Sequence, residues 1–155
     1  MRTLICFDVD GIFQQQEEDS QYVKGPLDPR DIEVAFNDNF NCTCMIVSPS
    51  PYYPRKNDKT SLFDRHCEWE SNTMRWKNLM DCVKSCMVKP DIRIYVSDNG
   101  DVKEAKKAGF IYVDVNDFKY MMDQRFKTDE LPKEVTTEEE IAKDEEIIKD
   151  DEKIE

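Results

Sequence analysis

The segment Leu4 to Gly11, LICFDVDG, constrains the fold of this chain more than any other. Leu4 to Phe7 is an apolar run of strand length, and it suits a strand buried on both faces, as in a parallel sheet covered by helices. Two aspartates follow, Asp8 and Asp10, separated by one residue. Because ligand sites in such sheets lie just beyond the carboxyl ends of the strands, we expect both carboxylates at the mouth of a site.

The close spacing of the two aspartates indicates a metal-binding or catalytic site. Two neighbouring carboxylates repel each other unless a cation or a shared proton lies between them, so the pair implies a hard metal such as Mg²⁺, an acid/base division of labour, or both. Gly11 lets the chain turn away from the strand without a Cβ clash. A strand-end turn without chemistry is the alternative, since DxDG is a short string that also occurs by chance.

Three further elements follow in order along the chain. A second apolar run, Met45 to Val47, ends in Ser48. A third run, Ile92 to Val96, ends in the polar segment SDNGD, and Lys77 lies between the two runs near the start of a predicted helix. The chain therefore predicts several strands whose carboxyl ends all carry polar groups.

This ordered set resembles the haloacid dehalogenase superfamily of phosphohydrolases over roughly residues 3 to 118. The family pattern is an apolar run with DxDG, a second run ending in Ser or Thr, a lysine, and a third run ending in a small residue and Asp. The resemblance implies an α/β fold, a Rossmann-like three-layer sandwich with a mostly parallel central sheet. The segments after Gly11 and after Ser48 are too short for a full cap domain, so it implies a capless member.

The resemblance also implies a role for each motif residue. Asp8 would be the nucleophile that forms an aspartyl-phosphate, and Asp10 would act first as general acid and then as general base. Ser48 would hydrogen-bond the phosphoryl group, and Lys77 would neutralise its charge. Candidate substrate contacts follow Ser48 in its loop, at Pro49 and Arg55.

The implied cofactor is Mg²⁺. Asp98 would hold it together with Asp8 and the main-chain carbonyl of Asp10, and Asp101 is the second acidic residue of the same motif. Asp98 and Asp101 are one residue closer than the family pattern usually has them, so the metal loop is shortened here.

The identity of the phosphate-neutralising cation stays open at this point. Lys77 is preferred because enough chain separates it from Asp98 for a helix and a return to the strand. Its rivals are Arg75, Lys84 and Lys89.

The net charge and hydropathy of the chain exclude some classes of binding partner. A net charge of −12 argues against binding to a nucleic-acid backbone, because phosphates would be repelled. The chain has no apolar run of membrane-spanning length and no signal-peptide pattern before the first strand, which favours a cytoplasmic protein without membrane contact. An open, capless site suits macromolecular or extended phosphorylated substrates, and a site closed by a neighbouring subunit of a homo-oligomer is the alternative.

The helices of the crossover connections are also predicted. Asp28-Pro29 begins the first, Val102 to Ala108 forms another that Gly109 ends, and Asn116 caps a later one. Residues 1–132 are predicted to form the catalytic core. Residues 133–155, with eleven acidic and four basic residues, are predicted to form an acidic tail that is either solvated or an amphipathic helix.

Six cysteines offer a different interpretation, a zinc site, but no Cys-x-x-Cys pair supports it. Cys82 and Cys86 instead share a helical stripe with Leu79 and Val83, which is typical of a packed helix face. Two functions follow from the sequence. The first is a Mg²⁺-dependent phosphatase, and the alternative is a relative of the same fold that has lost turnover and acts as a binding or regulatory module.

Overall fold

The computed structural model describes residues 1–19, 21–37, 41–48, 50–53, 61–65 and 74–130. The strands are β1 (Thr3–Phe7), β2 (Gln14–Gln16), β3 (Tyr22–Lys24), β4 (Cys42–Ile46), β5 (Ile92–Ser97) and β6 (Ile111–Asp114). The helices are α1 (Pro29–Ile32), α2 (Arg75–Ser85), α3 (Val102–Lys107) and α4 (Val115–Glu130). A π-helical turn (Glu33–Asn37) continues α1, and a 3₁₀ turn spans Ser61–Asp64.

Four strands form one parallel sheet in the order β4-β1-β5-β6. β1 lies in the interior of this sheet, and Cys6 is paired with Met45 on one side and Tyr95 on the other. The strand predicted from Leu4 to Phe7 is therefore confirmed as an interior strand. The chain is a mixed α/β protein with a parallel sheet flanked by helices, an arrangement compatible with a Rossmann-like fold.

Side chains alternate between the two faces of β1 and both faces are covered. Leu4 and Cys6 are fully buried in a cluster with Leu79 and Cys82 of α2 and residues of α3, which confirms the predicted apolar stripe of α2. On the opposite face the Phe7 ring contacts Phe118 of α4 edge-on, with 5.4 Å between ring centroids. Burial on both faces explains why the run contains no polar residue.

Helix ends follow the predicted signals with one exception. Asp28 Oδ1 accepts a hydrogen bond from the Arg30 amide at 2.9 Å and so caps α1, and Gly109 follows α3 with a φ of 77°. Asn116, however, does not cap α4. The helix begins one residue earlier, and its first turn is held by Asp114 Oδ2, which accepts from the Asn116 amide at 2.9 Å.

The chain between Gly11 and Pro29 contains an antiparallel hairpin, β2 paired with β3. Its base is fixed to the chain before it, because the Gly25 amide donates to the Phe13 carbonyl at 2.8 Å. Gln14 begins the hairpin and is fully buried despite its polar side chain. The segment after Ser48 is described only in part.

The chain divides into two compact units, Met1–Tyr120 and Met121–Glu155. Of the second unit, the structure describes residues up to Glu130, the end of α4. The predicted boundary at residue 132 and the predicted acidic tail lie outside the described residues. Within the described part of the chain, no helix has the length and apolar composition needed to cross a bilayer.

Candidate active site

The carboxyl ends of three neighbouring strands meet at Asp8. The Asp8 amide donates to the Val96 carbonyl of β5 at 3.2 Å, and the Val47 amide after β4 donates to the Phe7 carbonyl at 2.8 Å. Ser48 follows Val47, so the β1 aspartate, the β4 serine and the end of β5 lie at one edge of the sheet. This convergence is what the sequence predicts for a site beyond parallel strands.

One oxygen of the Asp8 carboxylate is held by three donors. Asp8 Oδ2 accepts from the Tyr95 hydroxyl at 2.6 Å, from Ser97 Oγ at 2.7 Å and from Asn99 Nδ2 at 3.3 Å. Asn99 Nδ2 also donates to the Tyr95 hydroxyl at 2.9 Å, so the tyrosine accepts one hydrogen bond while it donates another. Asp8 is thereby fixed in orientation by two residues of β5 and one of the loop that follows.

The other Asp8 oxygen, Oδ1, is buried and has no hydrogen-bond partner among the residues that the structure describes. Its nearest cation there is Arg75, whose Nη2 lies 3.6 Å away. Arg75 is the first residue of α2, and its Nη1 donates to the Val47 carbonyl at 2.6 Å, which ties the guanidinium to the end of β4. The Trp76 amide donates to Glu104 Oε2 of α3 at 2.9 Å and fixes the start of that helix.

Burial dominates the electrostatics of Asp8. Loss of solvent raises the pKa of its carboxyl above the usual value of 3.8, and the Asp98 charge adds to this rise. The Arg75 charge and the hydrogen bonds from Tyr95 and Ser97 act in the opposite direction and lower the pKa. Burial and the Asp8 charge also raise the pKa of Tyr95, so this hydroxyl stays protonated and remains a donor. The site therefore holds one buried acid between hydrogen-bond donors and a guanidinium.

Asp10 has a separate environment and is exposed. Its Oδ1 accepts from Gln14 Nε2 at 2.7 Å. The same amide nitrogen donates to the Pro51 carbonyl at 2.9 Å, and the amide oxygen accepts from the Tyr53 amide at 2.8 Å. Gln14 thus joins Asp10 to the loop that follows Ser48.

Asp98 lies directly against the turn that follows Asp10. A Cβ atom at Gly11, which has a φ of 81°, would come within 2.0 Å of Asp98 Oδ2. Only glycine permits this approach, because the turn needs a positive φ and leaves no room for a side chain. Asp101 lies at the start of α3, and its amide donates to Asn99 Oδ1 at 2.8 Å.

The fit to a magnesium ion depends on two carboxylates. Among the described residues, no three histidine, cysteine or acidic side chains come together as a metal-binding group, so Asp101 and the Asp10 carboxylate do not join Asp8 and Asp98 in one cluster. The Asp98 charge acts on Asp8, and Asp98 Oδ2 lies against the Gly11 turn that directly follows Asp10. Two carboxylates and the carbonyl of Asp10 are the ligand set that the resemblance implies, and these residues fit it.

The remaining predicted site residues are Ser48, Lys77, Pro49 and Arg55, and the structure describes the first two. Ser48 is buried and accepts a hydrogen bond from the Ser50 amide at 3.2 Å. Among the described residues, Lys77 forms no ion pair with Asp8: its side chain is exposed, and its amine lies 5.7 Å from the centroid of the Trp76 ring. Pro49 and Arg55 lie outside the described residues.

Arg75, one of the rivals to Lys77, is the cation that the structure places at Asp8. The reason is geometric, since residues two positions apart on a helix do not share a face, and Arg75 and Lys77 therefore cannot both point to the sheet edge. The chain separation for which Lys77 is preferred does not indicate which helix face points to the sheet. The orientation of a three-turn helix relative to a strand end is a tertiary property that spacing does not give.

Four site residues were not identified from the sequence: Tyr95, Ser97, Asn99 and Gln14. Tyr95 and Ser97 are two apart on β5 and so share a face, and this period of two, next to Asp98, was a usable signal. Gln14 gave no signal, because it belongs to a run of three glutamines in which the other two are exposed.

Comparison with known proteins yields no relative. No family model matches the chain, and neither a curated protein nor a solved structure is significantly similar to it. Function must therefore be inferred from the ordered motifs and from the geometry around Asp8.

Proposed function

We propose that this protein is a Mg²⁺-dependent phosphohydrolase of the haloacid dehalogenase type, which cleaves a phosphate monoester through an aspartyl-phosphate on Asp8. The observation that carries the proposal is the asymmetry of the Asp8 carboxylate. Oδ2 accepts three hydrogen bonds, whereas Oδ1 accepts none among the described residues and lies 3.6 Å from a guanidinium.

This asymmetry suits a nucleophile. The three donors restrict rotation of the carboxylate and occupy Oδ2, so that Oδ1 is the oxygen left to attack a phosphorus atom; such fixed orientation lowers the entropic part of the barrier. Arg75, adjacent to Oδ1, offsets the charge of the phosphate that approaches. A guanidinium can contact two phosphoryl oxygens at once, so it replaces the lysine of the family pattern without loss of charge.

The reaction then proceeds in two displacements. Oδ1 of Asp8 forms a bond to phosphorus as the bond to the leaving oxygen breaks, and the leaving oxygen takes a proton from Asp10. A water molecule next attacks the aspartyl-phosphate and gives its proton to Asp10, which releases phosphate and restores Asp8. Gln14, which donates to Asp10 Oδ1, leaves Oδ2 of that carboxyl for these proton transfers.

Ser48 and the metal ion complete the site. Ser48 lies at the end of β4, where its hydroxyl would donate to a phosphoryl oxygen. Asp8, Asp98 and the main-chain carbonyl of Asp10 would hold Mg²⁺, which supplies positive charge against the phosphate dianion when it is bound.

The alternative function is a module of the same fold that binds a ligand without turnover. It is favoured by the absence, among the described residues, of a group of three metal-binding side chains, and by the raised pKa of Asp8, because a higher pKa lowers the fraction of the ionised, nucleophilic carboxylate at a given pH. Such a module would bind phosphate compounds through Arg75 and Ser48 but would form no covalent intermediate.

The deciding experiment is phosphate release from a panel of monoesters, with and without Mg²⁺. We expect Asp8→Asn to abolish turnover and Asp10→Asn to slow it while beryllium fluoride still forms an adduct at Asp8. Asp91→Asn is the matched control, since Asp91 is an exposed carboxylate at the amino end of β5 that accepts from the Arg2 amide. Full activity of Asp8→Asn would refute the mechanism. Phosphate binding without Mg²⁺-stimulated release would favour the non-catalytic module.

A further inference from the structure

Two tyrosines stack on each other at the side of the site that carries Asp10. The Tyr22 ring of β3 and the Tyr53 ring of the loop after Ser48 have centroids 4.3 Å apart and an angle of 24° between their planes. Tyr53 is 55% exposed, so this is not a core contact. The pair presents aromatic surface to solvent from two segments that are far apart in sequence.

The pair is joined to Asp10 through a single side chain. The Gln14 amide donates to Asp10 Oδ1 at 2.7 Å and accepts from the Tyr53 amide at 2.8 Å. The Asp10 charge, after loss of solvent, also raises the pKa of Tyr22, which places the second ring within electrostatic range of Asp10. The main chain of Tyr53 therefore lies one amide group from the proposed general acid, and the Tyr22 ring lies within electrostatic range of it.

The loop that carries Tyr53 is anchored to the protein interior by the residue before it. The neighbouring Tyr52 is buried, and its ring stacks on Phe63 of the 3₁₀ turn with centroids 4.3 Å apart and nearly parallel planes. Phe63 in turn contacts Phe13 edge-on. A stacking surface held in this way loses little conformational entropy when a ligand binds.

We propose that Tyr22 and Tyr53 form a stacking platform for the base of a nucleoside monophosphate. The inference rests on the proposed function, because a general acid at Asp10 places the leaving group, rather than the phosphoryl group, next to these rings. Gln14 lies between Asp10 and the main chain of Tyr53, and a ribose would span the distance between the ester oxygen and the base. A net charge of −12 favours a mononucleotide over a polynucleotide.

The test compares two substrates that differ only in the base, adenosine 5′-monophosphate and ribose 5-phosphate, with the full chain and Mg²⁺. We expect a lower KM for the nucleotide. Tyr53→Ala should raise that KM about 5- to 150-fold, the range typical of one base stacked on one aromatic ring, with a much smaller change for ribose 5-phosphate. Tyr53→Phe retains the ring and should retain the preference. Tyr120→Ala, at an exposed tyrosine of α4, is the control.

A second measurement separates this inference from the proposed function. Equilibrium dialysis of adenosine, which carries no phosphate, reports on the platform whether or not the protein hydrolyses anything. Weaker adenosine binding by Tyr53→Ala would support the platform even if no phosphate were released. Equal kcat/KM for the two esters, equal losses for both in Tyr53→Ala, or no adenosine binding would overturn it.

Discussion

Tyr95→Phe removes one of the three hydrogen bonds that hold Asp8 Oδ2. It removes one hydroxyl and keeps a ring that is fully buried, so packing is preserved. The lost bond is the 2.6 Å donation to Asp8 Oδ2. Asn99 Nδ2 loses its acceptor at Tyr95 but keeps its contact with Asp8 at 3.3 Å, so no donor is left without a partner.

The magnitude follows from the charge on Asp8. A hydrogen bond to a charged group contributes about 1.5–3 kcal/mol, against about 0.5–1.5 kcal/mol for one between neutral groups. We therefore expect Tyr95→Phe to lower the free energy of unfolding by about 1.5–3 kcal/mol where Asp8 is ionised, and by less where it is protonated. The pKa of Asp8, already raised by burial, should rise further because a donor to its ionised form is gone.

The pH dependence has a defined sign. Below the usual carboxyl value of 3.8, Asp8 is protonated in both the folded and the unfolded state, and its raised pKa has no effect on stability. As the pH increases, the unfolded state ionises first, so stability falls until the folded-state pKa is passed. This fall should be larger in Tyr95→Phe than in the unmutated protein.

Urea unfolding between pH 3 and 8 measures the stability difference, and ¹³C-labelled aspartate side chains report the Asp8 pKa directly. Tyr112→Phe is the matched control, because its hydroxyl donates to the Ser97 carbonyl and accepts from the Gly100 amide but does not contact Asp8. An Asp8 pKa unchanged in Tyr95→Phe, or a stability loss equal to that of Tyr112→Phe at every pH, would show that the hydroxyl does not support the carboxylate.

Two further predictions concern the metal and the cation. Gly11→Ala should destabilise the fold by about 1–3 kcal/mol and weaken Mg²⁺ binding, because the added Cβ must displace Asp98. Calorimetric titration measures the Mg²⁺ affinity. Gly100→Ala is the control: it has a similar positive φ but open space around it, so it should lower stability without loss of Mg²⁺ affinity. Arg75→Met should reduce kcat/KM for a phosphate ester at least 10-fold, whereas Lys77→Met should change it less than 3-fold. The reverse order would restore Lys77 as the phosphate cation.

Local sequence was enough to predict the sheet. The apolar runs at Leu4 to Phe7 and Ile92 to Val96 have strand length and end at polar residues, and burial on both faces is a demand that few other structures satisfy. Asp28-Pro29 and Gly109 likewise act through their own backbone preferences. These features need no knowledge of what lies across the fold.

The site could be predicted only where it depends on those strand ends. Asp8 and Ser48 directly follow predicted runs, Asp98 comes two residues after another, and the three lie at one edge of the sheet. Arg75, rather than Lys77, points to Asp8 because of the rotation of α2 about its axis. That rotation depends on packing against β1 and α3, and the sequence spacing to Asp98 does not indicate it. The metal loop shows the same limit, since Asn99 turns back to Asp8 while Asp101 begins the helix.

Gln14 is the residue for which tertiary context outweighs local pattern most. Its neighbours Gln15 and Gln16 are exposed, as a polar run predicts, yet Gln14 is fully buried with both amide atoms hydrogen-bonded. Burial of an amide is unfavourable unless it is paired, so the cost is offset only because Asp10 and the Ser48 loop both supply partners. A single buried amide therefore couples the proposed acid/base to the loop that carries Tyr53, and the position of that loop should respond to any substitution at Gln14.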